Sequence, residues 1–177
     1  MKSIIAKFNL GLFLLAMVWM SACSQQQENQ TENTIEPIEN VENNTSTQQV
    51  GGVVDGYLKL KDALVDSNAE EAKQYAVAML EVVDAGAAPE VQQAVKEIAG
   101  TSDLEAQRKS FETLSTALYD KLKENQEVEQ TLYKQYCPMA FDDKGAFWLS
   151  AQEEIRNPYF GDRMLKCGSV QETLAAN

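Results

Sequence analysis

The chain has 177 residues, of which 15 are basic, 27 acidic and none histidine, giving a formal net charge of −12. An acidic chain cannot supply the phosphate-neutralising surface that nucleic-acid binding needs, so DNA and RNA are set aside as partners. Without imidazole, Ser-His and Cys-His nucleophile pairs, the His-Glu-x-x-His zinc helix and histidine general bases are excluded, and the chain reads as a binding or structural protein rather than an enzyme.

Lys2 and Lys7 precede an apolar run from Leu10 to Trp19. A basic start and a short apolar stretch are the layout of a secretory leader, and the run is about half the ~20 residues a spanning helix needs. The leader closes on Met20-Ser21-Ala22-Cys23, which resembles the lipobox of bacterial lipoproteins. That resemblance implies cleavage of residues 1–22 and lipidation of Cys23, with palmitate among the acyl chains. Each buried CH₂ adds about 0.8 kcal/mol, so several chains hold a protein on a membrane without any spanning helix. A plain signal peptide cut before an ordinary cysteine is the alternative. In such lipoproteins a residue other than aspartate after the cysteine implies sorting to the outer rather than the inner membrane, and here it is Ser24. The expected location is therefore the cell envelope, lipid-anchored and facing the periplasm.

Residues 23–50 are mostly Gln, Glu, Asn, Thr and Ser. Too few apolar groups are present to offset the entropy of ordering that backbone, so they read as a flexible tether spanning on the order of 25 to 30 Å. From residue 51 the period becomes helical. Val54, Tyr57, Leu58, Lys61, Leu64 and Val65 form one face, apolar except at Lys61. Asn68-Ala-Glu-Glu71 has the spacing of a capping box and opens a second helix with Ala72, Tyr75, Ala76, Met79, Leu80 and Val83 on one side, ended by Gly86. Pro89 suits a first turn, and Val91, Ala94, Val95 and Ile98 make a third helix stopped at Gly100. A second box, Ser102-Asp-Leu-Glu105, opens the longest helix, with Leu104, Phe111, Leu114, Leu118 and Leu122 facing inward. Short connections favour antiparallel neighbours. The predicted fold class is mainly α: an up-and-down bundle of about four helices, capped by an irregular C-terminal segment with room for one short β hairpin.

From Tyr133 the helical period is lost, and the stretch to Gly168 concentrates aromatics and sulfur. Asp142-Asp-Lys-Gly145 reads as a turn, Ala146 to Leu149 as a short strand running into a helical turn capped by Ser150, and Asn157-Pro-Tyr-Phe-Gly161 as a second turn. The segments Tyr136-Cys-Pro-Met-Ala140, Gly145-Ala-Phe-Trp-Leu-Ser150, Ile155-Arg-Asn-Pro-Tyr-Phe-Gly161 and Met164-Leu-Lys-Cys-Gly168 resemble an uncharacterised domain family of Gram-negative bacteria. Arg108-Lys-Ser-Phe-Glu-Thr-Leu-Ser115 fits it too, so the resemblance spans residues 53 to 173. That family occurs in stand-alone lipoproteins and fused to CusB-type periplasmic adaptor proteins of copper and heavy-metal efflux pumps. The resemblance implies an efflux adaptor as partner and a metal as ligand. Many relatives carry histidines, and this chain has none.

Two cysteines and two methionines carry the remaining chemistry. Cys137 and Met139 flank Pro138, and an extended segment would point both sulfurs to one side. Met164 and Cys167 are spaced for one face of a helical turn. If the segments meet, four sulfurs converge, and soft thiolate and thioether donors select Cu(I), with Ag(I) as its mimic. Cys137 and Cys167 would be the primary ligands, Met139 and Met164 weaker ones. The other reading is a disulfide, the default for an even pair in an exported protein, which would close a loop of about 30 residues. Trp148, Tyr159 and Phe160 are the candidates for a partner-binding surface, with packing onto the bundle as the alternative.

Overall fold

Four amphipathic helices followed by a small sheet account for most of the computed structural model, which describes residues 41–83, 87–125 and 128–177, with side chains from residue 52 onward. All of them belong to one compact unit, Ile38–Asn177. The leader, Cys23, the tether before residue 41 and Gly86 lie outside the described residues. The order is α1 (Val41–Val65), α2 (Ala69–Val82), α3 (Pro89–Ala99), α4 (Leu104–Asn125), β1 (Leu132–Cys137), a short turn α5 (Ala140–Asp143), β2 (Ala146–Ser150), a 3-10 turn (Gly161–Arg163) and β3 (Ser169–Leu174). None of the described helices is long and apolar enough to cross a membrane.

Local chemistry sets the helix starts. Asn68 caps α2 by accepting from the Glu71 N–H at 3.1 Å, and its amide donates back to the Glu71 carboxylate at 3.0 Å. Pro89 is the first residue of α3, where a missing N–H costs nothing, and Gly100 closes that helix. At α4 the cap is Asp103 rather than Ser102. Its carboxylate accepts from the Ala106 N–H at 2.8 Å while its own N–H donates to Thr101 Oγ1, which frees Glu105 to pair with Arg108 and Arg163. Helix α1 begins upstream of the expected boundary and runs through Gly51-Gly52; a helix-interior glycine costs only about 1 kcal/mol, which the buried Val53 and Val54 offset.

Sequential helices pack as neighbours, α1 on α2, α2 on α3 and α3 on α4, and β2 lies against α4. The core collects Tyr57, Leu60 and Leu64 from α1, Ala72, Ala76 and Met79 from α2, Val95 and Ile98 from α3, Phe111, Leu114 and Leu122 from α4, and Trp148 and Leu149 from β2. One expectation about the apolar faces changes: Leu80, at the margin of the α2 stripe, is exposed. Lys61, placed by its spacing on the inward face of α1, is buried there with its Nζ 2.6 Å from Asp62 Oδ1. Tyr57 Oη hydrogen-bonds Ser115 Oγ at 2.7 Å and accepts the Leu149 N–H at 3.0 Å, tying α1, α4 and β2 together.

The expected hairpin is real but belongs to a three-stranded antiparallel sheet in the order β2-β1-β3. Cys137 pairs with Ala146 and Gln135 with Trp148 on one side of β1, while Tyr136 pairs with Ser169 on the other. Lys134 Nζ lies 3.8 Å from the ring centre of Tyr119 and 4.3 Å from that of Phe147, and Glu172 accepts from Tyr119 Oη and Lys123, so cation-π and charged contacts fasten the sheet to α4. Ser150 caps no helix. Its hydroxyl accepts the Gln152 N–H in a local turn, and residues 151–154 are bends whose carbonyls at Gln152, Glu153 and Glu154 receive the buried Gln135 amide.

Arg108 is the polar anchor of this arrangement. Only 2% exposed, it donates through Nε to Pro158 O at 2.8 Å, through Nη2 to Leu64 O at 3.2 Å and Ser67 Oγ at 3.0 Å, and through Nη1 to Glu105 at 3.0 Å. The guanidinium thus joins α4, the end of α1 and the loop after β2. Gly161 makes the same junction close: it has φ +57°, and a Cβ there would meet Ser67 Oγ, lie 2.9 Å from Val65 O and 3.1 Å from Arg108 Nη2. Gly161→Ala is therefore expected to cost about 2–3 kcal/mol from left-handed strain and overpacking, read as a lower urea midpoint at unchanged slope. A shift below about 0.5 kcal/mol would mean that the loop moves away freely.

Candidate functional site

The sheet register brings the two cysteines together. Cys137 is the last residue of β1, and Cys167 lies two positions before Ser169, which pairs with the neighbouring Tyr136. Their Sγ atoms are 2.6 Å apart, both are free thiols, Cys137 is fully buried and Cys167 partly exposed. Asn157 holds the second cysteine in place. Completely buried, it donates from Nδ2 to Cys167 O at 2.8 Å and from its N–H to Leu165 O, and accepts the Tyr159 N–H on Oδ1. The Asn157-Pro-Tyr-Phe-Gly turn read in the sequence is thus also the clamp on Cys167.

On the other side, the chain leaves Cys137 through an unusual reversal. Phe141, Asp142 and Asp143 have φ of 54°, 57° and 62°, so the short turn α5 is left-handed. Each such residue costs roughly 1–2 kcal/mol, least for aspartate. Phe141 is held by its edge contact with Tyr159, ring centres 5.2 Å apart. The turn starts at Pro138-Met139, so Met139 does not continue the strand as an extended segment would. It has helical φ/ψ and is 46% exposed, while its backbone N–H faces the Cys167 sulfur. Met164 is partly buried, and the Cys167 N–H donates to its carbonyl at 3.0 Å in a turn rather than a regular helix. Of the four sulfurs expected to converge, the geometry joins the two thiols.

Burial, the hydrogen bond to Cys137 and the charge Cys137 would carry push the Cys167 thiol up to about 11, opposed by the Met139 N–H. At neutral pH it is a thiol, and a metal or a disulfide has to displace its proton. Among the described residues no three Cys, Asp or Glu side chains are grouped to hold a metal ion, so a metal here would rest on the two thiolates with thioether help. Two sulfurs on one tetrahedral ion at ~2.3 Å stand roughly 3.8 Å apart, so taking an ion requires the pair to open by more than about 1 Å. Cys137 is fully buried and Cys167 partly exposed, so the Cys167 side chain, on its clamped backbone, is the one with room to turn.

Of the two readings of the aromatic candidates, packing and a partner-binding surface, the structure shows packing for Trp148 and Tyr159. Trp148 is 0% and Tyr159 4% exposed, and Phe160 is half-buried. Tyr159 sits among Phe111, Phe141 and Trp148 and donates to Phe147 O at 2.6 Å, while the Trp148 N–H is buried without a partner among the described residues. Apolar area drove these rings inward, where they support the sheet beneath the cysteines.

A family described as "Protein of unknown function (DUF3347)" matches residues 53–130. No curated protein and no solved structure matches the chain. The match takes in most of α1 and all of α2 to α4 and ends before β1, so the cysteine pair lies outside it. The helical part of the chain, residues 53–130, is accordingly similar to this uncharacterised family.

Proposed function

We propose that the chain is an envelope lipoprotein, anchored through Cys23 and facing the periplasm, whose dithiol binds a soft monovalent metal, Cu(I) above all. Cys137 and Cys167 are its thiolate ligands, and Met139 and Met164 its auxiliary thioethers. It serves copper or heavy-metal resistance by sequestering the ion or handing it to a periplasmic efflux adaptor, without catalysis. The observation that carries this reading is the meeting of two free thiols from segments thirty residues apart, one of them partly exposed and bonded by the N–H of an exposed methionine. Thiolate and thioether donors without imidazole or a carboxylate cluster suit Cu(I) and its mimic Ag(I) far better than hard cations.

The test is an anaerobic Cu(I) titration of the reduced full-length chain against a chromophoric chelator, beside the Cys137→Ser, Cys167→Ser double variant. One tightly held ion per chain, lost in the variant, is expected, with weaker retention in Met139→Leu. Equal behaviour of the two proteins would remove the metal reading. A second reading is favoured by the 2.6 Å gap, close to the ~2.05 Å of a disulfide bond. In it the pair is a staple, and the protein is a non-catalytic interaction module that docks an efflux adaptor or another envelope protein.

A further inference from the structure

We propose that Cys167 is the sulfur through which an external disulfide oxidises the pair, and that Cys137 is the buried resolving thiol. The inference uses the same two sulfurs as the metal reading but does not depend on a metal. Its basis is the difference between their surroundings. Cys137 ends the central strand, is 0% exposed and has its backbone paired with Ala146, so no reagent reaches its sulfur in the folded protein. Cys167 lies in the turn between the 3-10 segment and β3, partly exposed, and is followed by Gly168 at φ +146°.

The backbone around Cys167 is arranged to let its sulfur react without losing its place. Asn157 holds its carbonyl and its N–H bonds Met164 O, so the main chain is fixed on both sides. The Met139 N–H points at its sulfur, so the turn after Cys137 also fixes where that sulfur lies. Met139 itself is exposed, on the turn that leaves Cys137. Gly168 also has to be glycine here, since a Cβ would come within 3.0 Å of Trp148 Cη2 and of Tyr136 O.

The chemistry balances as two exchanges. The Cys167 thiolate, its proton given to solvent, attacks one sulfur of an external disulfide RS–SR, forming Cys167–S–SR and releasing RS⁻. The Cys137 thiolate, also deprotonated to solvent, then attacks the Cys167 sulfur, forming the intramolecular bond and releasing the second RS⁻. Protonation of both leaving groups completes the sum: the dithiol loses two electrons and two protons, and RS–SR becomes two RSH. The sulfurs already lie 2.6 Å apart, so the partners of the second step are side by side. The substrate class is therefore a disulfide-bearing oxidant, protein or small molecule, able to present one sulfur at the surface.

The experiment uses the reduced full-length chain and dithiodipyridine, a neutral disulfide whose released thione is coloured, with adducts located by peptide mass so that Cys23 is counted separately. Cys137→Ser is expected to keep one stable adduct on Cys167. In Cys167→Ser, Cys137 should react roughly 100-fold more slowly, because it waits for local opening, and should catch up in denaturant. The wild type should release two thiones from the pair and retain no adduct there. If a variant fails to fold, rapid acid quenching of the wild type with substoichiometric reagent serves instead, and the trapped adduct should map to Cys167. Equal rates for the two cysteines, or a first adduct on Cys137, would overturn the proposal while leaving Cu(I) affinity untouched. Ordered labelling in a chain that fails the Cu(I) titration would remove the metal reading alone.

Discussion

Arg108→Ala is expected to destabilise the protein by about 3–5 kcal/mol. The cost does not come from the ion pair, because Glu105 is 69% exposed and stays solvated once its partner is gone; exposed pairs contribute about 0–1 kcal/mol. It comes from Leu64 O and Pro158 O, which lose their charged donor in a buried place, and from the volume the side chain leaves. Arg108→Lys is expected to recover less than half of the loss, since one ammonium cannot reach α1, the Pro158 carbonyl and Glu105 in the forked geometry of a guanidinium. Glu105→Ala should shift stability by no more than about 1 kcal/mol. Urea midpoints for the three variants, compared in the reduced state, decide the matter. Near-equal effects of Arg108→Ala and Glu105→Ala would mean that charge, and not the carbonyl bonds, holds the loop to the bundle. Because Pro158 adjoins Asn157, whose amide clamps Cys167, Arg108→Ala should also loosen the cysteine pair.

Residues whose roles are local were legible in the sequence. Asn68 with Glu71, Pro89 and Gly100 act on backbone groups three or four positions away, so their spacing reveals them. The error at the α4 cap is of one residue, because Ser102 and Asp103 both suit the position and only the fold decides which carboxyl or hydroxyl meets the Ala106 N–H. Strand β3 escaped notice for a different reason. Ser-Val-Gln-Glu-Thr-Leu is an edge strand whose burial is weak until Leu174, so it is held by backbone pairing that leaves little hydrophobic signature. The meeting of Cys137 and Cys167 was foreseeable as a pairing of the two available thiols. The position of Met139 was not, since the strand ends at Cys137 and a left-handed turn begins almost at once, held by Phe141 on Tyr159 across eighteen positions of chain. Arg108 shows the same limit from the other side. A lone arginine on a helix reads as solvated, and only three distant carbonyl and hydroxyl partners make it a core residue. Trp148 and Tyr159 were legible as aromatics of one cluster, but periodicity in an irregular segment does not say which way they point.

Closing the Cys137–Cys167 bond is expected to stabilise the protein by roughly 3–4 kcal/mol relative to the dithiol, the chain-entropy value for a loop of about 30 residues. The gain acts on the unfolded chain, so it should appear as a higher urea midpoint and a slower unfolding rate, with little change in the helical signal of the native state. Its pH dependence follows from the raised Cys167 thiol. A group held at about 11 in the folded state but titrating near 9 when unfolded favours folding fully below pH 9, and that contribution is lost as pH rises through 11. Cys137 from β1 faces this sulfur, the buried Tyr159 interacts with Cys137, and the neighbouring Lys166 is paired with Glu154. Only the cysteines are consumed by oxidation, so the difference between the two forms should be flat below pH 9 and widen between pH 9 and 11, while tyrosine and lysine titrations largely cancel. Cu(I) should raise the midpoint of the reduced form alone, by mass action on the native state. Parallel urea titrations of the oxidised, reduced and Cu(I)-supplied reduced chain test both points. An oxidised form less than about 1 kcal/mol more stable than the dithiol would show that β1–β3 pairing already restricts these ends in the unfolded ensemble. The cysteines would then be retained for exchange or metal chemistry, because a staple would add almost nothing there.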